Sequence, residues 1–237
     1  MKKLLLLFII FISILSCEDT KKASTKTEET STKTTSEILI SSEEKRNKPK
    51  KIYPKITEEN VVPFLTDYGK DNPETKIRIT TMYGGIYLQL FTDTPLHRAN
   101  FIYLVKQGYF NETFFHRISP NFIIQGGSSD LKSTSKKRFE IGQNYRLPYE
   151  KGNGRIHKYG TVSGAKHYRE NPDNLSVPFE FFIFLGPKTS TAHLNGNYTI
   201  FGKVIKGMDV IEKISKVETD DGEWPIQNIY ISAEVIK

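Results

Sequence analysis

The chain has 237 residues, room for one ordinary domain with an appendage or for two small ones. At 37% hydrophobic and 26% charged it is neither a membrane bundle nor a disordered polymer, and its one cysteine excludes an intramolecular disulfide framework or a Cys-rich zinc site. The formal charge of +7 is uneven: residues 18–72 balance, and 73–237 hold a surplus of five with no Lys/Arg block interleaved with aromatics, which reads as a solvated basic surface and not as nucleic-acid binding.

Lys2 and Lys3 precede an uncharged run from Leu4 to Leu15, which ends at Ser16 and Cys17 before Glu18-Asp19. A charged start, a short apolar stretch and a small residue make an export signal over residues 1–17. As a helix the run reaches about 18 Å, short of the roughly 30 Å hydrocarbon core, so an uncleaved anchor is the lesser reading. Ile14-Leu15-Ser16-Cys17 resembles a bacterial lipobox, with Leu15 bulkier than the usual residue there. The resemblance implies cleavage before Cys17, acylation of that residue and a membrane-anchored protein of the cell envelope facing an extracytoplasmic space. A chance cysteine in a plain secretory signal is the alternative.

Residues 18–72 are rich in Lys, Thr, Ser and Glu, and Thr20 to Ser36 has no apolar periodicity. Such a stretch buries too little to offset its chain entropy and is expected to act as a tether spanning about 40 Å root-mean-square. Its last part, 52–72, carries Val61, Val62, Phe64 and Leu65, enough to order against the domain.

A domain is expected over 73–237, with a β-rich core suggested by 15 Phe and 12 Tyr. Ile77 and Ile79 alternate with polar residues, Gly84-Gly85 turns the chain, and Ile86 to Phe91 forms a second strand. Thr94 as cap and Pro95 at the first position start a helix that Gly108 stops. Ser128 to Arg138 reads as a solvated loop. Further strands are expected at 179–185, 199–205 and 226–236, with a short helix over 207–215. Strand number and spacing favour a closed antiparallel barrel, a mainly β fold.

The chemistry concentrates in Phe115-His116-Arg117-Ile118-Ser119-Pro120-Asn121-Phe122-Ile123-Ile124-Gln125-Gly126-Gly127. It sets a permanent cation, an aromatic and an amide on a stretch whose successive side chains face opposite ways when extended. Residue types alone do not separate a ligand groove from a surface arginine beside a core strand.

The run resembles the signature of the cyclophilin family of peptidyl-prolyl isomerases, in which F-H-R, P-x-F and Q-G-G follow in this order and spacing. A second match runs through Phe181-Phe182-Ile183, Leu194-Asn195-Gly196, Phe201-Gly202-Lys203-Val204 and Gly207-Met208-Asp209-Val210. The resemblance covers about 75–236. It implies an eight-stranded antiparallel barrel capped by two helices, with the groove on its outer face. It places the catalytic arginine at Arg117, the proline pocket at Phe122, Ile123, Phe182 and Leu194, the groove amide at Gln125, and a peptide-contacting segment at Gly160–Ala165 that brings Ala165 to the groove. His193 and Tyr198 stand where tryptophan and histidine are common. Proline-containing polypeptides are the implied partners, with no cofactor or metal, and a monomer is expected.

Two departures bear on the site. Glu180 stands where the family usually has glutamine and Lys166 where asparagine is common. Glu180 is expected to pair with Arg117 or to select basic peptides within the groove, the alternative being that it points out of the groove. None of the five histidines has close metal-ligand spacing, and His116 is expected to be a structural neighbour of Arg117. A rival to the enzyme is a module that grips proline-containing segments as a chaperone or scaffold with little turnover.

Overall fold

The alternation read in the first strands is the alternation of a sheet with one buried face. In β1 (Lys76–Thr81) Ile77 and Ile79 are buried and Arg78 is exposed; in β2 (Gly84–Leu90) Ile86, Leu88 and Leu90 point inward. The turn between them is Met82-Tyr83, with Gly84 at φ +129° opening β2. The computed structural model describes residues 52–167 and 169–237. The expected signal, Cys17 and most of the 18–72 tether lie outside them.

Six more strands follow: β3 (Thr113–Ser119), β4 (Ile123–Ser128), β5 (Thr161–Gly164), β6 (Phe181–Phe184), β7 (Ile200–Lys206) and β8 (Ile229–Ile236). All pair antiparallel and close into a barrel in the order β1-β2-β7-β5-β6-β4-β3-β8. Closure leaves no sheet edge to pair with another chain. The fold is mainly β, as expected. Inward side chains such as Ile79, Leu88, Phe115, Ile124, Phe181 and Ile231 form one core, while Ile123, Phe182, Phe184 and Leu194 form a smaller cluster of their own.

Four α-helices lie among the described residues: α1 (Val61–Asp71), α2 (Pro95–Lys106), α3 (Lys132–Ile141) and α4 (Met208–Ile214). α2 and α4 are the two expected from the sequence. α2 sends Ala99, Phe101, Ile102 and Leu104 into the main core, and α4 sends Val210, Ile211 and Ile214 there. Thr94 occupies the N-cap position of α2, but its hydroxyl donates to the Phe91 carbonyl and leaves the cap to another group. The free amides of Leu96 and His97 donate instead to the Glu150 carboxylate, both at 2.9 Å, which places an anion at the positive end of the helix from a distant loop.

α1 extends the folded unit back to Tyr53, so the domain begins twenty residues before 73. Val61, Leu65 and Tyr68 are buried, each worth about 1.5–3 kcal/mol of apolar transfer. Tyr53, Phe64, Tyr68 and Tyr103 of α2 interlock with ring centroids 5.1–6.0 Å apart. Beneath them the buried Arg98 donates to the carbonyls of Gly69 (3.0 Å), Asn72 (2.8 Å) and Glu74 (3.3 Å), a cation at the negative end of α1.

α3 corrects the expectation of a solvated loop over 128–138. Only Thr134 and Ile141 of this helix are buried, so it carries no apolar stripe for periodicity to reveal. Polar anchors hold it: Arg138 donates through Nε to the Tyr109 hydroxyl (2.8 Å) and through Nη2 to the Gly127 carbonyl (3.2 Å), and the Ile141 carbonyl accepts from the Ile56 amide (2.8 Å).

Candidate active site

The β3–β4 hairpin places the first functional side chains. Ser119-Pro120-Asn121-Phe122 is a turn closed by the Phe122 amide on the Ser119 carbonyl (3.1 Å), with proline at its second position and Asn121 at φ +58° in its third, the residue types such a turn prefers. Phe115 pairs with Gly126 and Arg117 with Gln125, so His116 is an extra residue on β3. This bulge resets the alternation: Phe115 and Ile118 are both buried, and His116 and Arg117 both stay outside the main core.

Register then carries a row across the barrel. Arg117 lies opposite Gln125, Gln125 opposite Phe182 on β6, and Phe182 opposite Ser163 on β5. Opposed residues share a face, so guanidinium, amide and aromatic ring emerge side by side on the outside of the barrel. The smaller apolar cluster of Ile123, Phe182, Phe184 and Leu194 forms the floor beneath them.

The row opens into a cleft of about 340 Å³. Nine of the ten site residues expected from sequence line it: Arg117, Phe122, Ile123, Gln125, Ala165, Phe182, His193, Leu194 and Tyr198. Tyr198 meets the edge of Phe182 at 5.5 Å, and His193 lies against Phe122 at 5.8 Å. The Ala165 amide donates to the Glu180 carbonyl (3.3 Å) and its carbonyl accepts from the Val177 amide (2.7 Å), so the fold uses both backbone groups and the residue offers the cleft its methyl surface. Lys166 also lines the cleft, with Nζ bonded to Asn174 and 4.5 Å from the centre of the Tyr198 ring; burial lowers its pKa.

Glu180 is the tenth residue, and its place corrects the expectation. It neither lines the cleft nor pairs with Arg117. It lies two residues from Phe182 on β6, on the same face and one step along from the Gln125 row. Its Oε2 accepts from Gln125 Nε2 at 2.9 Å and lies 3.5 Å from His116 Nε2, while Oε1 lies 3.6 Å from Arg138 Nη2. Burial works to raise its pKa, but His116, Arg138 and Gln125 outweigh it and hold the carboxyl below its ordinary value. A carboxylate accepts only, so it draws the NH₂ of Gln125 toward itself and leaves the amide oxygen for the cleft. Glu180→Gln preserves an acceptor for that NH₂, and kcat/KM is expected to change by less than about threefold. Glu180→Leu leaves the half-buried Gln125 amide without that acceptor and is expected to cost about 1 kcal/mol in urea unfolding, with a several-fold drop in kcat/KM.

Two residues that sequence reading passed over support the site. His157 stacks on Phe182 at 5.9 Å and 7° between planes. Its Nδ1–H donates to Asn195 Oδ1 (2.9 Å), which leaves Nε2 to accept from the Ser163 hydroxyl (3.1 Å), and burial pushes its pKa down. This neutral imidazole braces the wall of the cleft. Glu223, from the loop before β8, accepts from Arg117 Nε at 2.6 Å. Neither residue sits in a motif, and Glu223 is 106 positions from its partner, so local pattern carried no signal for the pair.

The arrangement presents a fixed cation, an oriented amide and an apolar notch, and its hydroxyl–imidazole pair, Ser163 with His157, is buried away from the cleft. Among the described residues no three His, Cys, Asp or Glu side chains gather to hold a metal ion.

Residues 76–235 match the family described as cyclophilin type peptidyl-prolyl cis-trans isomerase/CLD. The chain is 35% identical over 148 residues to a peptidyl-prolyl cis-trans isomerase of Acinetobacter baylyi, covering 61% of this chain and 74% of that one. It is 35% identical over 160 residues to peptidyl-prolyl cis-trans isomerase A of Dickeya dadantii, covering 65% and 78%. Among solved structures it is similar to the Cryptosporidium parvum cyclophilin type isomerase crystallised in the presence of the dipeptide Ala-Pro, with a TM-score of 0.56, 27% identity, and coverage of 68% of this chain and 99% of that one.

Proposed function

Since the chain belongs to the cyclophilin-type peptidyl-prolyl cis-trans isomerase family, we propose that its Arg117 cleft is where it turns X–Pro bonds. The chain is a peptidyl-prolyl cis-trans isomerase; the assignment of roles to its residues is our reading. One observation carries it: a guanidinium, an amide and the apolar side chains of Phe122, Phe182 and Leu194 share one cleft of a size to take a proline ring.

The chemistry follows from the bond. Resonance makes the X–Pro amide partly double and sets a barrier of about 18–20 kcal/mol. At the twisted midpoint the resonance is lost and the prolyl nitrogen regains its lone pair. A donor aimed at that nitrogen is worth more there than in the planar ground state, which is the condition for catalysis. Arg117 stays protonated and has donors to spare, since Nε is taken by Glu223 and the two Nη groups remain for substrate. The notch holds the pyrrolidine ring while the preceding carbonyl swings, and the Gln125 oxygen is oriented to accept from the peptide backbone. A ~10⁵-fold acceleration asks for roughly 7 kcal/mol, within reach of one charge-assisted hydrogen bond and an oriented pocket. An isomerisation assay on an uncharged X-Pro peptide tests the reading. Acceleration that a saturating second proline peptide suppresses supports it; tight binding with no acceleration supports a gripping module instead.

We read the chain further as a lipid-anchored form acting on polypeptides outside the cytoplasm. Lys2-Lys3, the Leu4–Leu15 run and Ile14-Leu15-Ser16-Cys17 support this, with two or three acyl chains giving durable attachment where one is marginal. Cys17→Ala is expected to shift the protein from the membrane fraction to the aqueous one with its isomerase rate unchanged. A mature amino terminus that mass spectrometry finds without acyl mass contradicts the anchor.

A further inference from the structure

Glu223 sits in a conformation its residue type disfavours. Its φ is +63°, in the left-handed region where a side chain crowds its own backbone. Asn121, Asn174 and Glu170 also adopt positive φ; asparagine tolerates that region, while the two glutamates, Glu170 and Glu223, occupy it at a cost. The loop over-determines the conformation. The Glu223 amide donates to the Asp220 carbonyl (3.0 Å), and Asp220 Oδ1 accepts from the amides of Gly222 (2.8 Å) and Trp224 (2.9 Å). The Trp224 ring packs edge-on against Phe114 at 5.3 Å.

Glu223 itself bonds β3 at the arginine and at the residue beside it. The Glu223 carbonyl accepts from the amide of Ile118, the residue after Arg117, at 2.8 Å. Its carboxylate accepts from Arg117 Nε at 2.6 Å. One residue thus grips both the strand beside the guanidinium and the guanidinium itself. A glycine or asparagine would satisfy the backbone at lower strain, and only a side chain as long as glutamate reaches Nε.

We propose that Glu223 is a positioning residue for the isomerisation: it freezes the Arg117 side chain by holding Nε, so that the Nη donors stand ready over the proline notch. The proposal rests on the reading that Arg117 stabilises the twisted amide. The carboxylate partly offsets the field of the guanidinium, so its benefit is geometric, the loss of side-chain rotamers before the peptide arrives. Strain kept at a functional site predicts opposite signs for stability and rate.

The test measures exchange rate, peptide affinity and thermal midpoint in the full chain for the wild type, Glu223→Gly, Glu223→Asn and Glu223→Gln. Glu223→Gly and Glu223→Asn are expected to keep or raise the midpoint while the catalysed rate at saturating peptide falls about tenfold and affinity moves less than about twofold. Glu223→Gln still accepts from Nε and is expected to restore most of that loss. In an Arg117→Ala background Glu223→Asn is expected to change nothing further. A rate unmoved by Glu223→Gly and Glu223→Asn, while Arg117→Ala abolishes it, overturns the positioning role alone. A rate unmoved by Arg117→Ala overturns the reading beneath it. A fall in midpoint that tracks the fall in rate in both Glu223 variants marks the loop as merely structural and also overturns the proposal.

Discussion

Gly127→Ala is expected to remove about 3–5 kcal/mol of folding stability, a large part of what a domain of this size has, and to lower the thermal midpoint by roughly ten degrees. Gly127 has φ +100°, and a Cβ there would lie 2.2 Å from the Phe179 carbonyl oxygen and 3.2 Å from the Glu180 Cα. Both neighbours are backbone, so no side chain can rotate away. The Gly127 carbonyl also accepts from the Tyr109 hydroxyl (2.7 Å) and from Arg138 Nη2, so any shift of this residue disturbs the anchor of α3 as well. Gly154→Ala is the control. Gly154 has φ +67° but nothing within 4 Å of its added Cβ, so only the left-handed strain of about 1–2 kcal/mol applies. Urea unfolding of the two variants checks the difference. Equal losses would mean that the close approach between β4 and the start of β6 is not what fixes Gly127.

Arg117→Ala is expected to lower kcat/KM by roughly 100- to 1,000-fold, the cost of about 2.7–4 kcal/mol that follows removal of one donor aimed at developing charge. Arg117 side-chain exposure is 41%, so its removal leaves no buried void, and stability is expected to change by less than about 1 kcal/mol. Arg117→Lys keeps the charge and loses the planar fork, and is expected to recover only part of the rate. A coupled assay with a prolyl peptide reads both variants. Arg117→Ala within about threefold of wild type would remove the guanidinium from the mechanism.

What was legible in the sequence follows a physical divide. The first strands and α4 announce themselves because their buried residues recur at the spacing of one face, whereas α2, buried continuously from His97 to Val105, is marked by Thr94-Pro95 at its start and Gly108 beyond its end. The site was legible because the β3–β4 hairpin carries Arg117, Phe122, Ile123 and Gln125 within nine residues, in the order and spacing of a known family. α3 was not legible, since Arg138 and the Ile141 carbonyl hold it through polar bonds that leave no apolar stripe. The expected partner of Arg117 was wrong for a related reason. Glu180 is close to Arg117 in register, but the bulge at His116 turns that ring toward Glu180 and leaves the guanidinium to Glu223. A pairing across 106 residues is set by how the barrel closes, and no local pattern encodes it.

The arginine and the notch are joined in one claim: the notch binds and the guanidinium turns. Exchange NMR on an uncleaved X-Pro peptide separates the two steps most directly, using wild type and Arg117→Ala side by side. Wild type is expected to speed cis–trans exchange far beyond the uncatalysed time of tens of seconds or longer. Arg117→Ala is expected to leave exchange near the uncatalysed rate while the peptide still shifts the resonances of Phe182 and Leu194. Equal acceleration by the two proteins would contradict the claim.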